Sequence, residues 1–167
     1  MKTQEKATGW RVPAACGILI TMGLVACSGT SDGTGPAYAA GRCALTQGSA
    51  DPDYKPNPPL RSRVGAGFSL TGIVRSGIDC SVIARARVEF WLRGPDGQYD
   101  DAHRGAVITD SAGRYRFESN FPGGDGGFQP HIHLRVAVPG YHTLVTVYFP
   151  HAGASAGVLD LVLEPEM

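Results

Sequence analysis

The chain has 167 residues, with 15 Lys and Arg against 15 Asp and Glu, and with 23 Gly and 12 Pro. Without residues 1–26, it carries 12 basic and 14 acidic residues, a formal net charge of −2. No basic stripe is present, which argues against nucleic acid as a partner.

The first 26 residues are typical of an export signal. Three basic residues precede an apolar run, 12–26, that is too short to span a bilayer comfortably. The run ends in Leu24-Val25-Ala26-Cys27, which resembles the lipobox of bacterial lipoproteins, where the cysteine is lipidated. An ordinary signal peptide or a short anchor helix are the alternatives. We predict an exported protein that faces the periplasm or exterior and touches the membrane only through a lipid on Cys27.

Residues 27–41 are rich in Gly, Ser and Thr and predict a flexible tether, so the folded domain is predicted at 42–167. This domain holds two cysteines, Cys43 and Cys80. An even pair in an exported chain favours a disulfide, and two buried free thiols are the alternative. Residues 44–64, with four prolines, predict an ordered loop that wraps the domain.

The rest of the domain shows strand patterns and no useful helical period. Asp110 and Gly113 suit the first and fourth positions of a type I turn, which predicts a hairpin between the strands on either side. The fold class is therefore all-β, a Greek-key β-sandwich of about seven or more short antiparallel strands. The predicted strands are 68–74, 87–92, 106–109, 114–117, 131–138, 144–149 and 158–163.

Two histidines stand two residues apart in one predicted strand. Because side chains alternate along a strand, His131 and His133 share one face, and Ile132 and Leu134 share the apolar other. The imidazoles are then ~6.5–7 Å apart along the strand and close enough to converge on one metal ion. Two solvated surface histidines are the alternative. The remaining histidines, His103, His142 and His151, are predicted to be solvated, and Tyr115 is predicted to lie in the core.

Several motifs together resemble the intradiol ring-cleavage dioxygenases. They occur in order and at family-like spacing, and the resemblance runs from about Cys43 to Pro150, with the two cysteines similar to the exported branch of that family. The motifs are Val88-Glu89-Phe90-Trp91, Gly97-Gln98-Tyr99, Thr109-Asp110-Ser111-Ala112-Gly113-Arg114-Tyr115-Arg116-Phe117, Pro130-His131-Ile132-His133, Pro139-Gly140-Tyr141 and Leu144-Val145-Thr146-Val147-Tyr148-Phe149.

The resemblance implies a non-haem Fe(III) enzyme. Family members hold the ion with two tyrosines and two histidines and cleave a catechol between its hydroxyl-bearing carbons, inserting both atoms of O₂. Tyr99 matches the first tyrosine, and His131 and His133 match the histidines. The implied partners are a catechol-type aromatic and O₂, and the implied ligand types suit a hard Lewis acid.

Two family positions differ in this chain. Asp125 occupies the position of the family's second tyrosine. Phe128 occupies the position of an arginine that stabilises charge on the substrate ring. Asp125 is predicted as a fourth ligand with a catalytic role, or alternatively as a turn former beside four glycines. Two histidines and a carboxylate also suit Fe(II) or zinc. A catalytically impaired module that binds a metal, an aromatic or a sugar is therefore the alternative function, and a purely structural sandwich is a third.

Overall fold

The structure is a computed structural model that describes residues 43–124 and 127–167. The predicted signal peptide, the tether and Cys27 lie outside the described residues, and so does Asp125. No helix in the described part of the chain is long and apolar enough to cross a membrane. The strands are β1 (Phe68–Ser76), β2 (Arg87–Leu92), β3 (Arg104–Ile108), β4 (Arg114–Ser119), β5 (Ile132–Ala137), β6 (Leu144–Tyr148), β7 (Ala156–Val158) and β8 (Leu161–Leu163).

The strands form two sheets, which confirms the predicted all-β sandwich. In the β1 sheet the order is β4-β1-β7, with β8 also paired with β1. In the β2 sheet the order is β3-β2-β5-β6, and all its pairings are antiparallel. Short strands with alternating apolar residues fold in this way because each sheet hides one face against the other.

The last strand of the prediction, 158–163, is instead two short strands. Both β7 and β8 run parallel to β1, which differs from the expected antiparallel arrangement. The link between them crosses close to β1, since a Cβ added at Gly72 would lie 1.8 Å from the carbonyl oxygen of Leu159. Only a glycine permits this close approach.

The predicted hairpin around Asp110–Gly113 is wrong, although its turn is present. The Gly113 amide donates to the Asp110 carbonyl at 3.0 Å, as the turn requires. However, β3 pairs with β2 and β4 pairs with β1, so the turn carries the chain from one sheet to the other. The apolar side chains of both strands thereby cover the core from opposite sides, which a flat hairpin would not allow.

The core lies between the two sheets. Phe90 of β2 stacks on Phe117 of β4 with ring centroids 4.2 Å apart. Tyr115 is also buried here, as predicted, and its hydroxyl donates to the Leu159 carbonyl at 2.6 Å. The fully buried aliphatic side chains are Leu70, Val74, Val88, Leu92, Ile132, Leu134, Val136, Leu161 and Leu163.

Residues 43–64, here called the covering segment, lie against the β2 sheet, which confirms the predicted ordered loop. The Arg61 amide donates to the Ala106 carbonyl, and the Ala106 amide donates to the Pro59 carbonyl, both at 3.0 Å. Further along the segment, the Pro52 carbonyl accepts a hydrogen bond from the indole N–H of Trp91 at 2.9 Å. The segment is thus fixed at the sheet edge and over the sheet face.

A disulfide joins Cys43 to Cys80 across a sequence separation of 37 residues, which confirms that prediction. It connects the start of the covering segment to the β1–β2 connection. Closing a loop of this length stabilises the folded state by about 3–4 kcal/mol in the chain-entropy model.

Candidate metal site

Three donor atoms converge at one end of the β2 sheet. The Tyr99 hydroxyl lies 3.1 Å from His131 Nε2 and 3.2 Å from His133 Nε2, and the two Nε2 atoms are 3.0 Å apart. Ligands about 2.1 Å from one metal ion lie about 3.0–3.4 Å from each other in octahedral or tetrahedral geometry. The three atoms therefore form the triangle that a common metal ion needs.

Strand alternation positions the histidines as predicted. Ile132 and Leu134 of β5 are fully buried in the core, so His133 between them points to the outer face of the sheet. His131, which immediately precedes β5, lies on that same side. The two Nε2 atoms lie 3.0 Å apart.

Tyr99 reaches the site from the β2–β3 connection. There the Gly94 amide donates to the Gln98 carbonyl and the Gly97 amide to the Gly94 carbonyl, each at 2.9 Å. Gly97 has a φ of 78°, which favours glycine. The tight turn reverses the chain directly before Tyr99 and brings the phenol back to β5.

A backbone carbonyl sets the tautomer of His131. Its Nδ1 lies 2.7 Å from the Gln129 carbonyl oxygen, which can only accept a hydrogen bond. Nδ1 therefore carries the proton in the neutral imidazole, and Nε2 has a lone pair directed at the other two donors. A metal-ligating histidine is commonly oriented by such a contact.

His133 is buried beside Trp91. Only 3% of its surface is exposed, and its ring stacks on the Trp91 ring at 4.9 Å with an interplanar angle of 6°. Burial and, to a smaller extent, the charge of the neighbouring His131 lower the pKa of His133 to about 4. His133 is therefore neutral near pH 7, and neutral imidazole is the form that binds metals.

The donor chemistry fits a hard metal ion. Among residues 43–124 and 127–167, no three His, Cys, Asp or Glu side chains group together, and the atom that the structure places beside the two imidazoles is the phenol oxygen of Tyr99. Imidazole and phenolate suit Fe(III), the cofactor that the family resemblance implies. The predicted fourth ligand, Asp125, lies outside the described residues.

The donor atoms border a cleft of about 360 Å³, within the size range of small-molecule sites. Two aromatic side chains at this cleft are unusually exposed, Phe128 at 74% and Phe149 at 50%. The lining residues are Ser49, Ala50, Pro52, Asp53, Arg93, Tyr99, Phe128, His131, His133, Val147 and Phe149. The covering segment, the β2–β3 connection, β5 and β6 thus all contribute to it.

Arg93 packs against Tyr99. Its guanidinium carbon lies 4.8 Å from the centre of the phenol ring, and its Nη1 donates to the Gly97 carbonyl at 2.6 Å. A cation over an aromatic face contributes about 0.5–1 kcal/mol at a partly exposed position. Arg93 therefore helps to hold the ring of Tyr99 and the turn that precedes it.

The sequence reasoning missed a buried polar cluster next to the site. Glu89 of β2 is 3% exposed and accepts hydrogen bonds from the Tyr54 hydroxyl and from Arg87 Nε, both at 2.8 Å, and from Arg135 Nη1 at 3.3 Å. Tyr54 also packs on Trp91 with ring centroids 5.3 Å apart. Trp91 and Glu89 lie on the face of β2 opposite its core residues. A tryptophan on the outer face of a predicted strand was the feature of the sequence that indicates a covered face.

The other histidines lie away from the donor triangle. His142 and His151 are exposed, as predicted. The prediction that His103 is solvated is wrong. Its Nδ1 lies 2.7 Å from Asp100 Oδ1, and its side chain is only 15% exposed. It packs under Gly94, where an added Cβ would lie 2.4 Å from its ring, and so supports the turn before Tyr99.

The fold and the site together define a class: a small β-sandwich with nitrogen and oxygen donors for a metal ion at one end of a sheet. In sequence, the chain is 26% identical over 110 residues to a chlorocatechol 1,2-dioxygenase of Cupriavidus pinatubonensis, covering 50% of this chain and 43% of that protein. A chlorocatechol 1,2-dioxygenase of Pseudomonas putida is 28% identical over 110 residues, with 50% and 42% covered. The chain thus spans less than half the length of these relatives. No protein-family model matches it.

Solved structures share the fold. The dioxygenase domain of a dioxygenase and carbohydrate-binding protein fusion from Streptomyces sp. SirexAA-E has a TM-score of 0.66 and 23% identity, covering 74% of this chain and 100% of that domain. An intradiol ring-cleavage dioxygenase from Tetranychus urticae has a TM-score of 0.66 and 18% identity, covering 74% and 96%. The sequence similarity to chlorocatechol 1,2-dioxygenases bears out the predicted resemblance to the intradiol ring-cleavage dioxygenases, and the solved structures share the fold.

Proposed function

We propose that this protein is an intradiol dioxygenase that cleaves catechol-type aromatics with O₂. The observation that carries the proposal is the triangle of Tyr99 Oη, His131 Nε2 and His133 Nε2, with sides of 3.0–3.2 Å, at the edge of a cleft. The sequence similarity to chlorocatechol 1,2-dioxygenases supports it.

Tyr99, His131 and His133 would hold the Fe(III) ion. When bound, Fe(III) supplies the Lewis acidity that draws the two catechol oxygens and the redox chemistry that O₂ requires. The chain's own residues fix the geometry around it. The Gln129 carbonyl keeps the proton of His131 on Nδ1, Trp91 holds the ring plane of His133, and Arg93 packs over Tyr99. Such fixed donors need little reorganisation when a ligand arrives.

We propose Asp125 as the fourth ligand and as the group that takes up a catechol proton, in place of the family's second tyrosine. The support is its position in the sequence, six residues before His131, and the chemistry of its carboxylate. Phe128, at the position of the family's arginine, cannot stabilise a developing negative charge. Turnover is therefore expected to be slower than in relatives that keep both residues.

Metal analysis, visible spectroscopy and O₂ uptake test the proposal on one preparation. We expect one iron per chain, a visible charge-transfer band from a coordinated tyrosinate, and O₂ consumption with catechol.

Tyr99→Phe should lose the band, whereas Tyr141→Phe, distant from the donors, should keep it. His131→Ala and His133→Ala should lose the iron, whereas His142→Ala, an exposed histidine, should retain it. Stoichiometric metal in the double variant His131→Ala/His133→Ala would contradict the site.

A binding module for aromatics is the second candidate function. It is favoured by Phe128, whose ring is 74% exposed in the cleft where the family has a charge-stabilising arginine. A coloured protein that binds catechol and shows no O₂ uptake would support this function and exclude the enzyme.

We propose that Cys27 is lipidated and anchors the exported protein to the membrane. The support is the Leu24-Val25-Ala26-Cys27 sequence behind a basic and apolar leader. Cys27→Ser should move the protein from the membrane to the soluble fraction, and Cys16→Ser should not. Absence of labelled fatty acid from the wild-type protein would contradict the anchor.

A further inference from the structure

We infer that the cleft selects catechols that carry an uncharged, apolar ring substituent and disfavours those that carry a carboxylate. This inference rests on the proposed function and names the substrate class of the same site. It follows from the side chains that line the cleft beyond the three donor atoms.

The wall of the cleft outside the donor triangle is largely apolar. Phe128 and Phe149 are the most prominent members, and both expose half or more of their surface. Val147, Pro52 and Ala50 complete the apolar lining. Exposed apolar area gains about 25 cal/mol per Å² when a ligand covers it, so an apolar substituent on the ring is stabilised here.

A carboxylate side chain borders the cleft. Asp53 is one of the lining residues, and its charge and that of Asp51 act on His133, opposed by the charge of Arg104. A substrate carboxylate that comes to lie beside Asp53 would be repelled by it.

The cation that lines the cleft is already engaged. Arg93 donates from Nη1 to the Gly97 carbonyl and lies over the Tyr99 ring. Its guanidinium is thus held against the phenol of Tyr99 and the turn that precedes it. Arg135, further along the same face, is bound to Glu89 and lies over Tyr54. Both arginines therefore already have partners within the protein.

Equilibrium binding tests the inference without turnover. The iron-loaded protein is titrated without O₂ with catechol, methylcatechol and protocatechuate, and the dissociation constants are read from the visible band and from heat of binding. Methylcatechol should bind at least about tenfold more tightly than protocatechuate, in line with the discrimination that one methyl group provides in an apolar site.

Substitutions in the cleft test which side chains cause the preference for methylcatechol over protocatechuate. Phe128→Arg should narrow or reverse it, since it places a cation at the cleft, and Phe128→Leu should retain it. Phe149→Ala should weaken methylcatechol binding several-fold. Val158→Ala removes an exposed apolar side chain of β7 that does not line the cleft, and should change nothing.

Tighter or equal binding of protocatechuate would overturn this inference and leave the proposed function standing. An unchanged preference in Phe128→Arg would overturn the assignment of the apolar wall as its cause. If none of the three aromatics perturbs the band or gives heat, the proposed function fails, and this inference fails with it.

Discussion

The outer faces of the two sheets differ sharply in burial. Along β1 and β4, buried residues alternate with residues that are half-buried or exposed, as expected of a sheet with one face in solvent. Along β2, five consecutive residues are buried, and the outward Glu89 and Trp91 are among them. In β5 the outward His133 is buried as well.

This difference shows how the chain builds its site. The outer face of the β2 sheet is buried although it carries a carboxylate and two arginines, because Tyr54 of the covering segment and the arginines themselves supply the partners that the buried Glu89 needs. The metal donors lie where this covered face opens into the cleft. On the β1 sheet, the covering segment pairs with the edge of β4 through the backbone of Ser62 and Val64 at Glu118, and the outer face of β4 carries surface ion pairs.

The largest expected effect comes from removing the aromatic centre of the covered face. Trp91→Ala should lower the free energy of unfolding by about 3–5 kcal/mol, because it leaves a cavity between Tyr54 and His133 and frees the Pro52 carbonyl. The matched change on the other sheet, Ile73→Ala, should cost much less, since that side chain is only half-buried. Urea unfolding of both variants measures the difference. Equal losses would mean that the two faces are energetically alike.

Removing the disulfide that ties the covering segment to the β1–β2 connection should destabilise the domain. Cys43→Ser/Cys80→Ser should lower the free energy of unfolding by about 3–4 kcal/mol, because the unfolded chain regains the freedom of the closed loop. Thermal unfolding of the wild type with and without reductant should show the same loss, and the double variant should no longer respond to reductant. A reductant effect that persists in the variant would assign the loss to another cause.

A matched pair of glutamates sharpens the comparison further. Glu89→Ala leaves Arg87, Arg135 and Tyr54 without their shared acceptor and should cost about 2–3 kcal/mol. Glu118 pairs with Arg116 and Arg63 on the more open β1 sheet, where ion pairs contribute little, so Glu118→Ala should unfold almost as the wild type does. Chemical denaturation measures the free energy of unfolding of both variants. An equal loss in Glu89→Ala and Glu118→Ala would contradict the distinction between buried and surface ion pairs.

The smallest expected effect is that of one hydroxyl group. Tyr54→Phe keeps the ring on Trp91 but removes the hydrogen bond to Glu89, and should cost about 1 kcal/mol. Tyr141→Phe serves as the control. Iron content should remain at one per chain in both variants, because Tyr54 is not a ligand. Loss of iron from Tyr54→Phe would show that the covering segment is needed to assemble the donors.

The sequence was a good guide to strands and a poor guide to how they pair. Alternation located β1, β2, β5 and β6 because their core-facing residues are strongly apolar. The pairing of β3 and β4 could not be read from Asp110–Gly113, since the same turn serves a hairpin or a passage between sheets. The parallel pairing of β7 and β8 depends on contacts with β1, such as that of Thr71 with Gly157, 86 residues further along the chain, and no local pattern encodes it.

For the candidate site, the sequence indicated the three side chains that the structure brings together and missed the residues around them. His131 and His133 followed from alternation, and Tyr99 followed from the family resemblance. The surroundings, Trp91, Glu89 and Arg93, were not predicted as a group. Their roles depend on which loop lies over the β2 sheet, and a proline-rich segment without regular structure has no period from which its path can be derived.

The position of the last strands governs when this domain can fold. β1 is completed on one side only by β7 and β8, and the Thr46 amide bonds to the Val162 carbonyl, so the first and last parts of the domain meet. A chain that emerges N-terminal end first can pair β1 with β4 but lacks the β7 and β8 partners of β1 until residues 156–163 have emerged. Folding is expected to be slow and to finish late, because such distant contacts carry a loop-closure cost. A chain shortened by the seven residues from Leu161 onward would leave an edge of β1 open to pairing with other chains.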